Sequence, residues 1–130
     1  MQEPSKDIDQ LAHDVIGAAI EIHRALGPGY LESVYESALA IELDYQDISY
    51  KRQYRYSLAY RGKPIGDGRI DLLIEDSLVV ELKTVDQLAP IHKAQVISYL
   101  KAANVSLGLL INFNVPVLKD GIQRIILTNS

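Results

Sequence analysis

Apolar positions recur along this chain with more than one period, and each period predicts an element. Ile8, Leu11, Ala12, Val15, Ala18, Ala19, Ile22 and Leu26 repeat at helical spacing, while Asp9, His13, Asp14, Glu21 and Arg24 fall on other faces. This predicts an amphipathic helix over about residues 7–26, ended by Gly27 as a cap and by Pro28, which cannot continue it. A second helix is expected over about 30–46, with Leu31, Val34, Tyr35, Ala38, Leu39 and Ile41 as its buried side. From Tyr50 to Tyr60 the period falls to two, so Tyr54, Tyr56, Leu58 and Tyr60 can line one face of a half-exposed strand. Gly62 to Gly68 is rich in turn residues and reads as a connection.

Two short apolar runs follow, Ile70 to Ile74 and Leu78 to Leu82, separated by the polar turn Glu75-Asp76-Ser77, and together they predict a β-hairpin. Pro90 suits the first turn of a third helix running to about 103, where Asn104 breaks the pattern. Val105 to Phe113 is too continuously apolar for a strand with one wet face and predicts a central strand covered on both sides. A strand, a helix and another buried strand form a crossover, which sets 106–113 parallel to 79–85. Pro116 and Asp120-Gly121 then interrupt the chain before a last strand, Ile122 to Leu127. Helix, helix, three strands, helix, strand, strand is the order of an α/β sandwich. Residues 1–6 are polar and expected to fray.

Composition narrows the class. A chain of 130 residues that is 48% hydrophobic can build one core, so a single domain over 1–130 is expected. With no cysteine, disulfides and thiolate metal sites are excluded. No apolar run approaches ~18 residues and the first residues lack the apolar centre of a signal peptide, which argues for a soluble cytoplasmic protein. The net charge of −4 argues against a protein that coats nucleic acid. Lys51, Arg52, Arg55, Arg61, Lys63 and Arg69 nevertheless concentrate in one stretch, as a solvated strand face or as a phosphate track.

Candidate chemistry sits on the hairpin. Asp71, Glu81 and Lys83 interrupt its apolar runs, and Glu81 and Lys83, two apart, share a strand face. A three-residue turn sets Asp71 directly opposite Glu81, with Cβ atoms ~4.5–5.5 Å apart. At an effective dielectric near 20, like charges ~5 Å apart repel by roughly 3 kcal/mol. A divalent cation between the carboxylates would relieve that repulsion, and the lysine could steady an anionic substrate or an attacking water. The plain alternative is a solvated face with a surface Glu–Lys pair worth at most ~1 kcal/mol. Glu32 and Glu36 lie one turn apart near a helix N-terminus, where the helix dipole alone favours acids. His92, Gln95 and Tyr99 form one polar stripe on the third helix, an exposed flank or a support for the site. His13 and His23 are expected at the surface or half-buried, and no histidine or cysteine set suggests zinc.

Gly29-Tyr30-Leu31-Glu32-Ser33-Val34-Tyr35 resembles the signature of the GxxExxY family, a group of small, mostly bacterial proteins in the PD-(D/E)XK nuclease superfamily. The likeness extends through Ile16 to Arg24, Gly27-Pro28-Gly29, Asp71, Val80-Glu81-Leu82-Lys83, His92 to Gln95, Tyr99-Leu100-Lys101 and Leu109 to Phe113, in order across nearly the whole chain. Gln95 to Tyr99 also resembles the Gln-x-x-x-Tyr element of RecB-type exonuclease domains. Ile70 stands where the superfamily's name has proline.

The resemblance implies a restriction-endonuclease-like αβββαβ core, a mixed sheet flanked by helices. It implies a magnesium- or manganese-dependent nuclease in which Asp71, Glu81 and Glu32 hold the metal, with Glu36 a lesser candidate. Lys83 would orient the nucleophilic water and neutralise the phosphate, while Gln95 and Tyr99 support that arrangement. Gly29 and Tyr35 would position the helix. The substrate would be nucleic acid, DNA favoured over RNA, and so small a chain suggests a homodimer or a protein partner. A non-catalytic binding or accessory module of the same fold is the alternative.

Overall fold

The computed structural model describes residues 6–127. Of the stretch expected to fray, residues 1–5 lie outside that span, and Lys6 already opens the first helix. Helices α1 (Lys6–Leu26) and α2 (Glu32–Tyr45) precede strands β1 (Tyr50–Tyr60), β2 (Lys63–Ile74) and β3 (Leu78–Lys83). Helix α3 (Pro90–Ala103), β4 (Leu107–Asn112) and β5 (Ile122–Ile126) complete the described elements, with a 3-10 turn at Leu118–Gly121. The strands form one sheet in the order β1-β2-β3-β4-β5, in which only the β3–β4 pair is parallel.

Strand alternation explains the layers. Leu78, Val80 and Leu82 of β3 pack with Val15, Ala19, Tyr35 and Leu39, so α1 and α2 cover one face of the sheet. Val79 of the same strand packs with Val96, Tyr99 and Leu100, so α3 covers the other. All six residues of β4 are buried, as the unbroken apolar run requires of a strand with no wet face. Each face of β3 therefore meets helices, which encloses any polar group it carries.

The link between α1 and α2 shows how the glycines and Tyr35 act. Gly27 (φ 71°) and Gly29 (φ 109°) occupy backbone conformations that a side chain rarely adopts. The buried Tyr35 hydroxyl donates to Gly27 O at 2.7 Å and accepts from Tyr30 N at 3.2 Å, while its ring stacks on Phe113 with centroids 4.2 Å apart. These contacts set where α2 begins.

Gly62 to Gly68 is not the turn its composition suggests. β1 and β2 pair as far as Tyr60 with Lys63, leaving only Arg61 (φ 50°) and Gly62 (φ 76°) to reverse the chain. The other glycines serve the strand. Gly66 lies where the register shifts, and a Cβ at Gly68 would overlap the Tyr56 ring.

Candidate active site

The hairpin turn has three residues, Glu75 to Ser77, with Ile74 paired to Leu78. The β2–β3 ladder runs through Leu73 with Val79 to Leu72 with Val80 and stops there. The next residues along the two strands are Asp71 and Glu81, and at that level side chains replace backbone partners. Asp71 Oδ2 accepts from Leu82 N at 2.9 Å, and Glu81 Oε1 lies 3.4 Å from Asp71 N. The strands part where the acids meet.

Glu81 is only 5% exposed, and this decides its electrostatics. Burial, then the Asp71 charge, pushes its carboxyl up to about 8, against the lowering pull of Lys83. A hydrogen bond between the two carboxyl groups also favours the protonated form of Glu81. Lys83 Nζ stands 3.5 Å from Glu81 Oε2, on the strand face predicted by the two-residue spacing. Its side chain is 16% exposed, so one ammonium lies beside the buried Glu81.

Other elements close around this pair. Tyr99 of α3 is buried, and burial, then the charges of Glu81, Tyr56 and Asp71, raise its hydroxyl well above the usual phenol range. Its ring meets Tyr56 edge-on with centroids 6.1 Å apart. Tyr56 is raised as well, first by burial and then by Glu81. Tyr99 thus faces the acids, as the stripe on the third helix suggested. Its neighbours on that stripe behave differently. His92 Nδ1 accepts from Ala89 N at 2.9 Å and caps α3, whereas the half-buried Gln95 side chain makes no hydrogen bond among the described residues.

Glu32 does not come together with Asp71 and Glu81 through any hydrogen bond or ion pair among the described residues. Glu36, one turn later, is the acid of α2 that the structure ties to the hairpin. It is 7% exposed, accepts from Arg52 Nε at 3.0 Å and from Gln53 Nε2 at 2.5 Å, and Gln53 Nε2 also reaches Asp71 Oδ1 at 3.3 Å. The helix begins at Glu32, so that residue stands on its first turn, a helical turn away from the Gln53 amide that Glu36 holds. Among the described residues no three histidines or acids are gathered in metal-binding geometry.

A family model of the PD-(D/E)XK nuclease superfamily matches residues 9–125. The chain belongs to that superfamily. The crystal structure of SSO0001 is similar in fold, with a TM-score of 0.55 at 22% identity over 75% of this chain. This chain spans about half the length of that protein, 50%. No curated protein matches the sequence significantly. The five-stranded mixed sheet between helices is the restriction-endonuclease-like fold of PD-(D/E)XK proteins.

In this PD-(D/E)XK protein the residues that sequence reasoning passed over are Gln53, Tyr56 and Gly68. Gln53 lies inside β1 with φ 50°, a left-handed conformation that is uncommon outside glycine and costs on the order of 1–3 kcal/mol. That backbone break lets its amide bridge Glu36 and Asp71. Nothing in the local sequence marks it, because the surrounding alternation of Arg52, Gln53, Tyr54 and Arg55 reads as ordinary half-exposed strand. Gly68 carried a signal, an isolated glycine beside an apolar run, but one that composition assigns to a turn.

Proposed function

We propose that this protein is a magnesium- or manganese-dependent phosphodiesterase that cleaves nucleic acid, DNA in preference to RNA. The observation that carries the reading is the buried Glu81, with the half-buried Asp71 facing it and Lys83 Nζ 3.5 Å from its Oε2. Two facing carboxylates, one of them buried, need a proton or a cation between them, and their hard oxygens suit magnesium, which one or two carboxylates and several waters commonly hold. Asp71 and Glu81 would hold the ion. Glu36 supports the pair through Gln53, and Glu32, on the same helix, remains a candidate to contact the ion's waters. When bound, the ion supplies Lewis acidity to a phosphoryl oxygen and lowers the pKa of a bound water.

The chain's own residues do the rest. Lys83 presents its ammonium where the scissile phosphate gains charge, and holds the attacking water by hydrogen bonding. The neutral Tyr99 hydroxyl donates toward the carboxylates or a phosphate oxygen, and Gln95 offers a donor and an acceptor beside it. Gly29 to Tyr35 and Gln95 to Tyr99 support a finer assignment, to bacterial GxxExxY proteins with a RecB-like element. One domain over 1–130 would act in the cytoplasm as a homodimer or with a protein partner. Among the described residues no helix is long and apolar enough to cross a membrane.

The test is a panel of single-stranded, double-stranded and branched DNA and RNA, with magnesium, manganese or chelator. Cleavage that requires the ion and is abolished in Asp71→Asn, while that variant stays folded, supports the reading. A parent protein that cleaves nothing in the panel makes the fold a binding or accessory module instead.

A further inference from the structure

Beyond the last β2–β3 pair, residues 63–71 of β2 have β1 as their only strand neighbour among the described residues. At ~3.3 Å per residue this two-stranded ribbon is roughly 30 Å long. Its root is anchored: Ile70, Tyr54 and Tyr56 pack into the cluster beneath α3 that includes Tyr99. Its outer part is exposed on both strands. The ribbon therefore projects from the level of the acidic pair, and Arg69 lies only two residues before Asp71 along β2.

The structure resolves which cations of the basic stretch are free. Lys51 is taken by Asp76 at 2.9 Å and Arg52 by Glu36 at 3.0 Å. Among the described residues Arg55, Arg61, Lys63 and Arg69 form no ion pair, all four are exposed, and Arg61 rests near the Tyr60 ring at 6.0 Å. The ribbon beyond Tyr54 holds a single acid, Asp67, also without an ion pair, in a chain whose net charge is −4. Positive charge is thus concentrated on one projecting element of an acidic protein.

Within it, Arg55 and Arg69 are direct cross-strand partners. Like charges at directly opposed positions destabilise a ribbon, and no acid on the ribbon is paired with either. Two guanidinium forks side by side match the two unesterified oxygens of a phosphodiester, each able to donate in pairs. We propose that this ribbon is a nucleic-acid grip in which Arg55 and Arg69 clamp a backbone phosphate next to the Asp71–Glu81 site, with Arg61 and Lys63 holding the backbone farther out. The grip rests on the nucleic-acid substrate of the preceding reading but not on catalysis. It reads the backbone and is indifferent to sequence.

The test is Arg55→Gln/Arg69→Gln in the full chain, with calcium as the divalent cation and fluorescent duplexes of two unrelated sequences. Affinity should fall roughly tenfold near 0.1 M salt, and the slope of log affinity against log salt should become shallower by about one, for the single phosphate that the pair neutralises. The melting temperature should hold or rise, since a like-charge pair is removed. Lys101→Gln/Lys119→Gln removes the same charge from exposed positions on α3 and the 3-10 turn, and should change affinity less than about twofold if the effect is local. The grip is overturned if the arginine variant binds like this lysine control, if its loss is confined to one sequence, or if the parent binds neither duplex. Parallel cleavage assays in manganese separate the two readings. A parent that binds through the arginines without cleaving sinks catalysis alone, and arginine-independent binding with cleavage sinks the grip alone.

Discussion

Burial, then the neighbouring Asp71 charge, pushes the Glu81 carboxyl up to about 8. A carboxyl whose folded pKa lies above its unfolded value of 4.5 binds more protons folded than unfolded, so the metal-free protein loses stability as pH rises from there to about 8, with no further loss above. Glu81→Gln should flatten that decline, and melting curves of parent and variant across this range measure it. Equal slopes would show Glu81 to be solvated. A divalent ion held by the pair as proposed would reverse the preference, since it would bind the deprotonated form, so its affinity should rise with pH over the same interval. Lys83→Ala tests the neighbouring ammonium. Removing a cation from beside two acids should leave manganese affinity equal or higher while cleavage falls roughly 100- to 1000-fold, the usual loss for a transition-state donor. A parallel loss of metal binding would make Lys83 structural.

At the scale of elements, the ribbon and α3 are coupled through one absent side chain. Gly68 leaves the space that the Tyr56 ring fills, and Tyr56 in turn meets Tyr99, which faces Glu81. Gly68→Ala should cost about 1–3 kcal/mol by overpacking and should disturb Tyr99 through Tyr56. In a Tyr56→Ala background the same change should cost little, because the clash is gone. Denaturant unfolding of the four proteins gives the coupling energy, and additive effects would mean that the glycine matters only for its backbone.

The whole molecule places the site where its layers converge. Asp71 and Glu81 come from adjacent strands, Tyr99 from the layer on one face and Glu36 from the layer on the other, so an ion held there as proposed would link all of them. An ion that binds only the folded arrangement should stabilise the entire fold by about 2.7 kcal/mol at a concentration one hundred times its Kd. Thermal melts with and without manganese check this, and Asp71→Asn should abolish the gain. A shift that survives in that variant would place the ion elsewhere.

Periodicity and turn chemistry were enough to place the three α-helices and the five strands in order, though not the outer half of β2, because those signals are local and each buried face must repeat with its element's period. The three-residue turn likewise set Asp71 and Glu81 at matching strand positions, and the two-residue spacing put Lys83 beside Glu81. Tertiary structure alone decided the remainder. Which acid of α2 reaches the hairpin depends on where Tyr35 and the two glycines start that helix, and Glu36 rather than Glu32 meets Gln53 there. The left-handed Gln53 and the packed Gly68 serve partners far away in sequence, which no local pattern encodes. The basic stretch looked uniform until folding paired Lys51 and Arg52 with acids and left Arg55 opposite Arg69. Charges separated along a chain acquire their energies only when folding sets their distances and removes their water, which is why the residue types were legible in the sequence and their partnerships were not.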